Sequence, residues 1–189
     1  MNVIGISGTP RKNGNSEILL RHALKPFKND GWDVNIYLVS ELTINPCKAC
    51  DSCREIGSCT IDDDMQRIYD AFRWCNAIVI SSPVYYRNVS SQLLSILDRH
   101  YAIESERPLA GKPGGAIAVG RGTSGGQTIV INAIYRWMLS CGIICVSGEL
   151  NGVTAVADKP GDILKQKNRL DQAEVLGSNV LRVAKSLQL

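Results

Sequence analysis

The chain of 189 residues is long enough for one domain with a single hydrophobic core. Its hydrophobic fraction of 44% and charged fraction of 21% are ordinary for a globular protein, and its net charge of +3 is too small to indicate nucleic-acid binding. No uncharged apolar stretch reaches the roughly 18 residues of a membrane span. Residues 1–7 lack the basic start of a signal peptide, so we expect a strand there and a cytoplasmic protein.

Strand and helix patterns alternate along the chain. Hydrophobic periodicity predicts strands at 3–7, 33–39, 77–81, 115–119 and 143–146, and helices at 15–27, 62–74, 90–101, 127–139 and 163–187. Five such units without a linker favour one domain over residues 1–189, a doubly wound five-stranded parallel sheet with helices on both faces. The strand order 2-1-3-4-5 suits five units. A ligand would then bind at the carboxyl ends of the strands, near the loops after Ser7, Ser81 and Val119.

The first of these loops, residues 7–16, reads Ser-Gly-Thr-Pro-Arg-Lys-Asn-Gly-Asn-Ser. Its hydroxyls and Arg11, placed before a helix N-terminus, suit a phosphate group. The loop lacks the spacing of a P-loop and of the dinucleotide fingerprint, so a monophosphate fits better than a triphosphate or a pyrophosphate. A plain turn with a helix N-cap is the alternative interpretation.

Two further loops offer an aromatic wall and a glycine-rich wall. Residues 81–90 carry Tyr85 and Tyr86 beside Pro83, and aromatic faces stack on planar ligands. Residues 120–127 contain four glycines, which allow backbone to approach a ligand closely, although alone this segment would be interpreted as a flexible surface loop. One edge of the sheet therefore carries a monophosphate site, an aromatic wall and a glycine-rich wall. FMN has parts that match all three.

Two of the segments resemble a known family. Residues 7–16 look like the phosphate loop of the NADPH-dependent FMN reductase and flavodoxin-like group, and residues 82–99 resemble its isoalloxazine loop. The likeness extends from residue 1 to about residue 148 and implies a flavodoxin-like fold. Residue 128 departs from the family pattern, because Gly-Gly-Gln-Thr stands where Gly-Gly-Gln-Glu is usual. The cofactor-binding residues that the resemblance implies are Ser7, Thr9, Pro10, Arg11, Asn15, Ser16, Pro83, Val84, Tyr85, Tyr86, Asn88, Gly120, Gly122 and Gly125.

Four of the seven cysteines lie within thirteen residues, with the spacing C-x2-C-x2-C-x5-C: Cys47, Cys50, Cys53 and Cys59. In a reducing compartment this density indicates metal binding or catalysis rather than disulfides. Three cysteines with two residues between each pair, and a fourth cysteine nearby to complete the ligand set, suit an iron–sulfur cluster. Structural zinc usually takes two distant C-x2-C pairs. Zinc, an unloaded remnant and redox-active thiols remain as alternatives. We expect the other three, Cys75, Cys141 and Cys145, to be buried apolar residues.

The cysteine spacing also resembles the compact motif of the iron–sulfur flavoproteins of archaea and anaerobic bacteria, which have the same fold. The resemblance implies FMN and a 4Fe–4S cluster in each subunit, ligated by the four cysteines of an insertion at 46–60. It also implies a homo-oligomer, a dimer or tetramer. We therefore expect an oxidoreductase that couples two-electron flavin chemistry to one-electron transfer. Ferredoxin, NAD(P)H, O2 and quinones are the electron donors and acceptors that we consider.

Two other functions compete with this interpretation. One is an NAD(P)H-dependent FMN or quinone reductase without a functional cluster, and the other is a non-enzymatic flavin- or zinc-binding module. No side chain is an evident obligate acid or base, so the sequence assigns no catalytic residue. We interpret His22 and His100, which lie on predicted helices, as structural. Neither nucleic acid nor a membrane is an expected partner.

Overall fold

The computed structural model describes residues 1–187. In this range one parallel sheet contains the strands β1 (Asn2–Ser7), β2 (Asp33–Leu38), β3 (Ala77–Pro83), β4 (Pro113–Gly120), β5 (Ile144–Cys145) and β6 (Val153–Val156). The α-helices are α1 (Asn15–Asn29), α2 (Ser52–Ile56), α3 (Met65–Trp74), α4 (Ser91–Arg99), α5 (Gly126–Ser140) and α6 (Lys167–Ser186). Short 3-10 helices occupy His100–Glu106 and Asp162–Lys165.

The sheet has the order β2-β1-β3-β4-β5, which confirms the predicted 2-1-3-4-5 arrangement. The predicted count of five strands is wrong, because β6 also pairs with β4 in parallel. β5 pairs with the first two residues of β4 and β6 with the last four, so two short strands share the fifth position. A turn closed by the Gly148 amide, which donates to the Asn151 carbonyl over 2.7 Å, separates them.

Both faces of the sheet carry helices, as predicted. β3 is apolar along most of its length because a central parallel strand is buried on both faces. Ile78 and Ile80 point into the core layer shared with α3, α4 and α5, and Val79 points into the layer shared with α1 and α6. α1 and α6 pack with their backbones in close approach, since a Cβ on Gly177 would lie 1.8 Å from the carbonyl oxygen of Ala23.

Three local expectations need correction. The helix predicted at 163–187 begins at Lys167, and a 3-10 turn precedes it. The helix predicted from residue 62 begins at Met65, because the carboxylate of Asp63 accepts the Met65 amide (3.0 Å) instead of joining the helix. Of the three cysteines expected to be buried, Cys75 is buried, whereas Cys141 and Cys145 are half-buried. Among the described residues no helix has the length and hydropathy of a membrane span.

Candidate functional site

A cavity of about 390 Å³ opens at the carboxyl ends of β1, β3 and β4. Its volume lies within the ~300–1,000 Å³ that is usual for small-molecule sites, and its position is the switch point of the strand order. Four chain segments line it. The lining residues are Thr9, Arg11, Gly14, Asn15, Ser16, Pro83, Val84, Tyr85, Tyr86, Val119, Arg121, Ala157, Asp158 and Pro160.

The first loop is held in shape by its own side chains. The hydroxyl of Thr9 accepts the Arg11 amide over 3.3 Å, and the buried carboxylate of Glu17 accepts the Asn13 amide over 2.9 Å. Helix α1 begins after Gly14 without a side-chain cap. The amide groups of its first turn are therefore available to an anion, and Arg11 on the cavity wall adds a positive charge.

Gly14 is required by this packing. A Cβ at this position would lie 2.8 Å from the Thr9 hydroxyl oxygen and 3.1 Å from the Arg11 carbonyl oxygen. The first contact is shorter than a carbon atom makes and the second is tight, so a larger residue would force Thr9 or the loop backbone to shift. The sequence therefore places glycine where the first loop leaves little room for a side chain.

The loop after β3 makes a tight turn that presents Tyr86. The Tyr85 amide donates to the Asn88 carbonyl (2.9 Å) and the Asn88 amide to the Tyr85 carbonyl (3.0 Å). Between them Tyr86 and Arg87 have φ of 49° and 65°, a left-handed conformation that non-glycine residues rarely adopt. The Tyr86 side chain is fully exposed at the cavity mouth. Such strain at a ligand pocket is typical of binding loops.

A fourth wall, formed by residues 157–160 after β6, was missed in the sequence analysis. Asn15 joins it to the first loop: its side-chain amide donates to the Lys159 carbonyl (2.9 Å), and its carbonyl oxygen accepts the Ile163 amide (3.2 Å). Arg121 forms an ion pair with Asp158 between the glycine-rich loop and this wall. The signal that could have revealed it is the short strand β6, which ends at the same sheet edge.

Several residues predicted to bind FMN do not line the cavity: Ser7, Pro10, Asn88, Gly120, Gly122 and Gly125. Ser7 is fully buried beneath the loop, and its hydroxyl has no hydrogen-bond partner among the described residues. The glycine-rich loop folds against Gln127, whose amide donates to the Gly122 carbonyl over 2.8 Å. Contacts of these six residues with FMN stay predictions.

The four clustered cysteines line a second cavity. It has a volume of about 40 Å³ and also includes Arg99 and Tyr101. Cys47 and Cys50 are exposed, and Cys53 and Cys59 are half-buried. Hydrogen bonds from Ser52, and then from Thr60, lower the pKa of the Cys50 thiol. The segment thus places all four cysteines along the wall of one small cavity.

A buried ion pair borders this second cavity. The side chains of Arg99 and Asp63 are 1% and 2% exposed, and their nitrogen and oxygen atoms lie 2.6 Å apart. Burial alone would raise the pKa of Asp63, but hydrogen bonds from Arg99 and from the Asn45 and Met65 amides lower it to about 2. The pair is therefore ionised at neutral pH.

The donor set fits an iron–sulfur cluster by its chemistry, because four cysteine thiolates ligate such clusters and hydrogen bonds to the sulfurs, such as the one from Arg99 to Cys59, adjust them. The positions of these side chains do not yet match a metal site. Within residues 1–187 no three Cys, His, Asp or Glu side chains are placed closely enough to hold a metal ion. The second cavity is also far smaller than the first, at about 40 Å³ against about 390 Å³. The structure brings the cysteines together but does not by itself form a metal site.

The comparisons with known proteins decide the family. The family model described as NADPH-dependent FMN reductase matches residues 1–155. An iron–sulfur flavoprotein of Methanocaldococcus jannaschii is 35% identical over 192 residues, covering 100% of both chains. The chain belongs to the NADPH-dependent FMN reductase family, among its iron–sulfur flavoproteins. An iron–sulfur flavoprotein of Methanosarcina thermophila is 37% identical over 157 residues, 82% of each chain.

A solved structure agrees on the fold. The WrbA-like flavodoxin of Agrobacterium tumefaciens has a TM-score of 0.70 at 14% identity, over 98% of this chain and 97% of that one. The flavodoxin-like fold is thus confirmed. As a member of this reductase family the protein is a flavin-dependent oxidoreductase, and FMN is the cofactor that the family match supports. The fourth wall at 157–160 lies beyond the matched residues.

Proposed function

We propose that this oxidoreductase holds one FMN in the 390 Å³ cavity and one 4Fe–4S cluster on Cys47, Cys50, Cys53 and Cys59, and that it couples two-electron flavin chemistry to one-electron transfer. The observation that carries the proposal is the gathering of all four thiols at one cavity beside a buried arginine. The proposal places the protein in the cytoplasm as a homo-oligomer built from single-domain subunits, in which residues 46–60 are the cluster-binding insertion.

Helix α4 joins the two cavities. At its start, the Ser90 hydroxyl donates to the Gly8 carbonyl of the first loop and accepts the Leu93 amide, which caps the helix. At its end, Arg99 contacts the cysteine segment. Nine residues at about 1.5 Å each make the helix about 13 Å long. One rigid element therefore fixes the distance between the flavin loops and the cysteines.

The residues of the first cavity bind and orient the flavin. Arg11 and the first-turn amides of α1 hold the phosphate, and Tyr86 covers one face of the ring. Asn15 holds the fourth wall against the first loop. When bound, FMN supplies two-electron chemistry and the cluster supplies one-electron transfer.

One observation favours a second function, an NAD(P)H-dependent FMN or quinone reductase without a cluster. The described residues contain no arrangement of Cys, His, Asp or Glu side chains that would hold a metal ion. In that case the cysteines would be incidental, and the cavity at the switch point would carry the whole activity. The two functions differ in how many electrons each chain stores.

A reductive titration separates them. Protein purified without oxygen is reduced stepwise with dithionite while its visible spectrum is recorded. The proposed function predicts about three electrons per chain, two for the flavin and one for the cluster. A plain flavin reductase takes about two electrons and shows no absorbance beyond that of the flavin. Rapid bleaching by NADPH with a two-electron capacity would favour the second function.

A further inference from the structure

One buried arginine holds both ends of the cysteine segment. Nη1 of Arg99 donates to the Asn45 carbonyl (3.0 Å) before the segment and to the carboxylate of Asp63 (2.6 Å) after it. Nη2 donates to the Ile61 carbonyl over 3.3 Å. Arg99 is the last residue of α4, so these bonds attach the loop to a rigid helix. A planar guanidinium holds its N–H donors in a fixed geometry toward all of these acceptors, whereas an ammonium group has fewer donors and no fixed planar arrangement.

The same side chain reaches a cysteine. Nη2 of Arg99 also donates to the sulfur of Cys59 over 3.4 Å. Its Nε is buried and has no hydrogen-bond partner within the described part of the chain. Buried donors in native proteins are nearly always satisfied, so an unpaired one beside a cavity points to an acceptor supplied by a bound group. Sulfide and thiolate sulfurs are acceptors of that kind.

We propose that Arg99 is the positioning residue of the cysteine segment, because it fixes the segment between Asn45 and Asp63 before metal binds and directs its N–H groups to the Cys59 side of the cavity. A cluster held there is then easier to reduce, since hydrogen bonds to its sulfurs stabilise the added electron. This second part rests on the proposed function. The first part concerns the metal-free chain and can be tested separately.

The first test measures hydrogen exchange in the metal-free protein. Residues 43–65 contain hydrogen-bonded amides, among them those of Asn45 and Gly57. Arg99→Lys is compared with Arg73→Lys, the same change at a half-exposed arginine that pairs with Glu106. We expect exchange of 43–65 to rise about tenfold in Arg99→Lys and to stay unchanged in Arg73→Lys. Equal exchange in the two variants would overturn the positioning role.

The second test measures the reduction potential of the protein after cluster assembly. Removing Arg99 alone would leave Asp63 buried without its partner, so the test variant is Arg99→Gln with Asp63→Asn, and Asp63→Asn alone is the control. We expect the cluster potential to fall in the double variant and not to fall in the control, with the flavin potential unchanged in both. Should the double variant not fold, Arg99→Lys replaces it with the same expected fall.

Each remaining outcome decides one part of the proposal. A cluster potential equal to that of the wild type would overturn the hydrogen-bonding role toward the cluster and leave Arg99 as a residue that stabilises the loop. A wild-type protein that takes up no iron would contradict the proposed function instead. In that case the exchange experiment still decides whether Arg99 positions the segment.

Discussion

The side chain of Asn15, at the start of α1, donates to the carbonyl oxygen of Lys159 over 2.9 Å, although 144 positions separate them. This bond and the one from the Ile163 amide to the same side chain (3.2 Å) join the first loop to the fourth wall of the cavity. A residue expected to contact the FMN phosphate thus also determines where the wall lies. The cavity depends on a long-range contact between the two ends of the fold.

Replacing Asn15 should weaken FMN binding. Asn15→Ala removes the hydrogen bond to Lys159 in the fourth wall and the one from Ile163 just after it. Each contributes about 0.5–1.5 kcal/mol, so we expect the FMN dissociation constant to rise about tenfold or more. The measurement is a titration of apoprotein with FMN, followed by quenching of flavin fluorescence. Asn179→Ala is the matched control, because Asn179 also donates to a backbone carbonyl, that of Ser147, but away from the cavity. Equal constants in the two variants would contradict the account.

The exposed ring of Tyr86 should contribute to flavin binding and little to folding. Stacking of an aromatic pair is worth about 0.5–1.5 kcal/mol, so Tyr86→Ala should weaken FMN binding about threefold to tenfold. Because the side chain is fully exposed, the free energy of unfolding of the apoprotein should change by less than about 0.5 kcal/mol. Tyr86→Phe keeps the ring and should bind FMN like the wild type. Identical affinities for all three proteins would show that the ring does not contact the flavin.

Gly14→Ala should disturb the first loop of the cavity. The new methyl group would lie 2.8 Å from the Thr9 hydroxyl, and overpacking of this kind costs about 1–3 kcal/mol. We expect a lower midpoint of thermal unfolding and weaker FMN binding. Gly148→Ala is the control, since its methyl group would meet its nearest neighbours at an ordinary 3.8 Å. A Gly14→Ala protein as stable as this control would contradict the packing argument.

Cys59→Ser should remove the cluster from the protein without removing FMN. The change removes one of the four sulfur donors at the second cavity and leaves the first cavity intact, so we expect most of the iron to be lost while FMN stays at about one per chain. Iron, sulfide and flavin analyses provide the measurement. Cys145→Ser is the control, because Cys145 lies on β5, outside the cysteine segment. Retention of iron in Cys59→Ser would remove Cys59 from the ligand set.

The ionised carboxylate of Asp63 should make the free energy of unfolding depend on pH. Its pKa lies at about 2 in the folded protein against an ordinary 3.8, so the ionised carboxylate stabilises the fold above 3.8. This contribution is lost as the pH falls toward 2. Asp63→Asn lacks it, and its buried Arg99 has no counter-ion. The difference in unfolding free energy between wild type and variant, measured with urea at several pH values, should therefore narrow as the pH falls. A difference independent of pH would contradict the assigned ion pair.

The sequence predicts the central sheet well because its strands are distinctive locally. β3 reads as an uninterrupted apolar run, and the loop before α1 combines glycine, hydroxyls and Arg11 in a way that few structural turns require. β6 was missed because four residues, Val153–Val156, in a mostly polar stretch give too short a pattern. With β6 missed, the wall that follows it could not be placed at the cavity.

The surroundings of the cysteines were also out of reach of sequence reasoning. Spacing singles out the four clustered cysteines, but the ion pair between Arg99 and Asp63 joins residues 36 positions apart. The acidic run at 62–64 predicts a helix start, and the Met65 amide at the start of α3 does donate to Asp63, but the same carboxylate also pairs with Arg99. Contacts of this kind depend on how α4 packs against the loop, and neither segment alone contains that information.

The most direct test of the central claim is the cofactor content of protein purified without oxygen. Iron, acid-labile sulfide, zinc and FMN are measured per chain, with visible spectra before and after dithionite. The account predicts about four iron, four sulfide and one FMN per chain, and a spectrum in which the cluster and the flavin both bleach. One FMN with no iron, or zinc in its place, would contradict it and leave a flavin reductase with incidental cysteines.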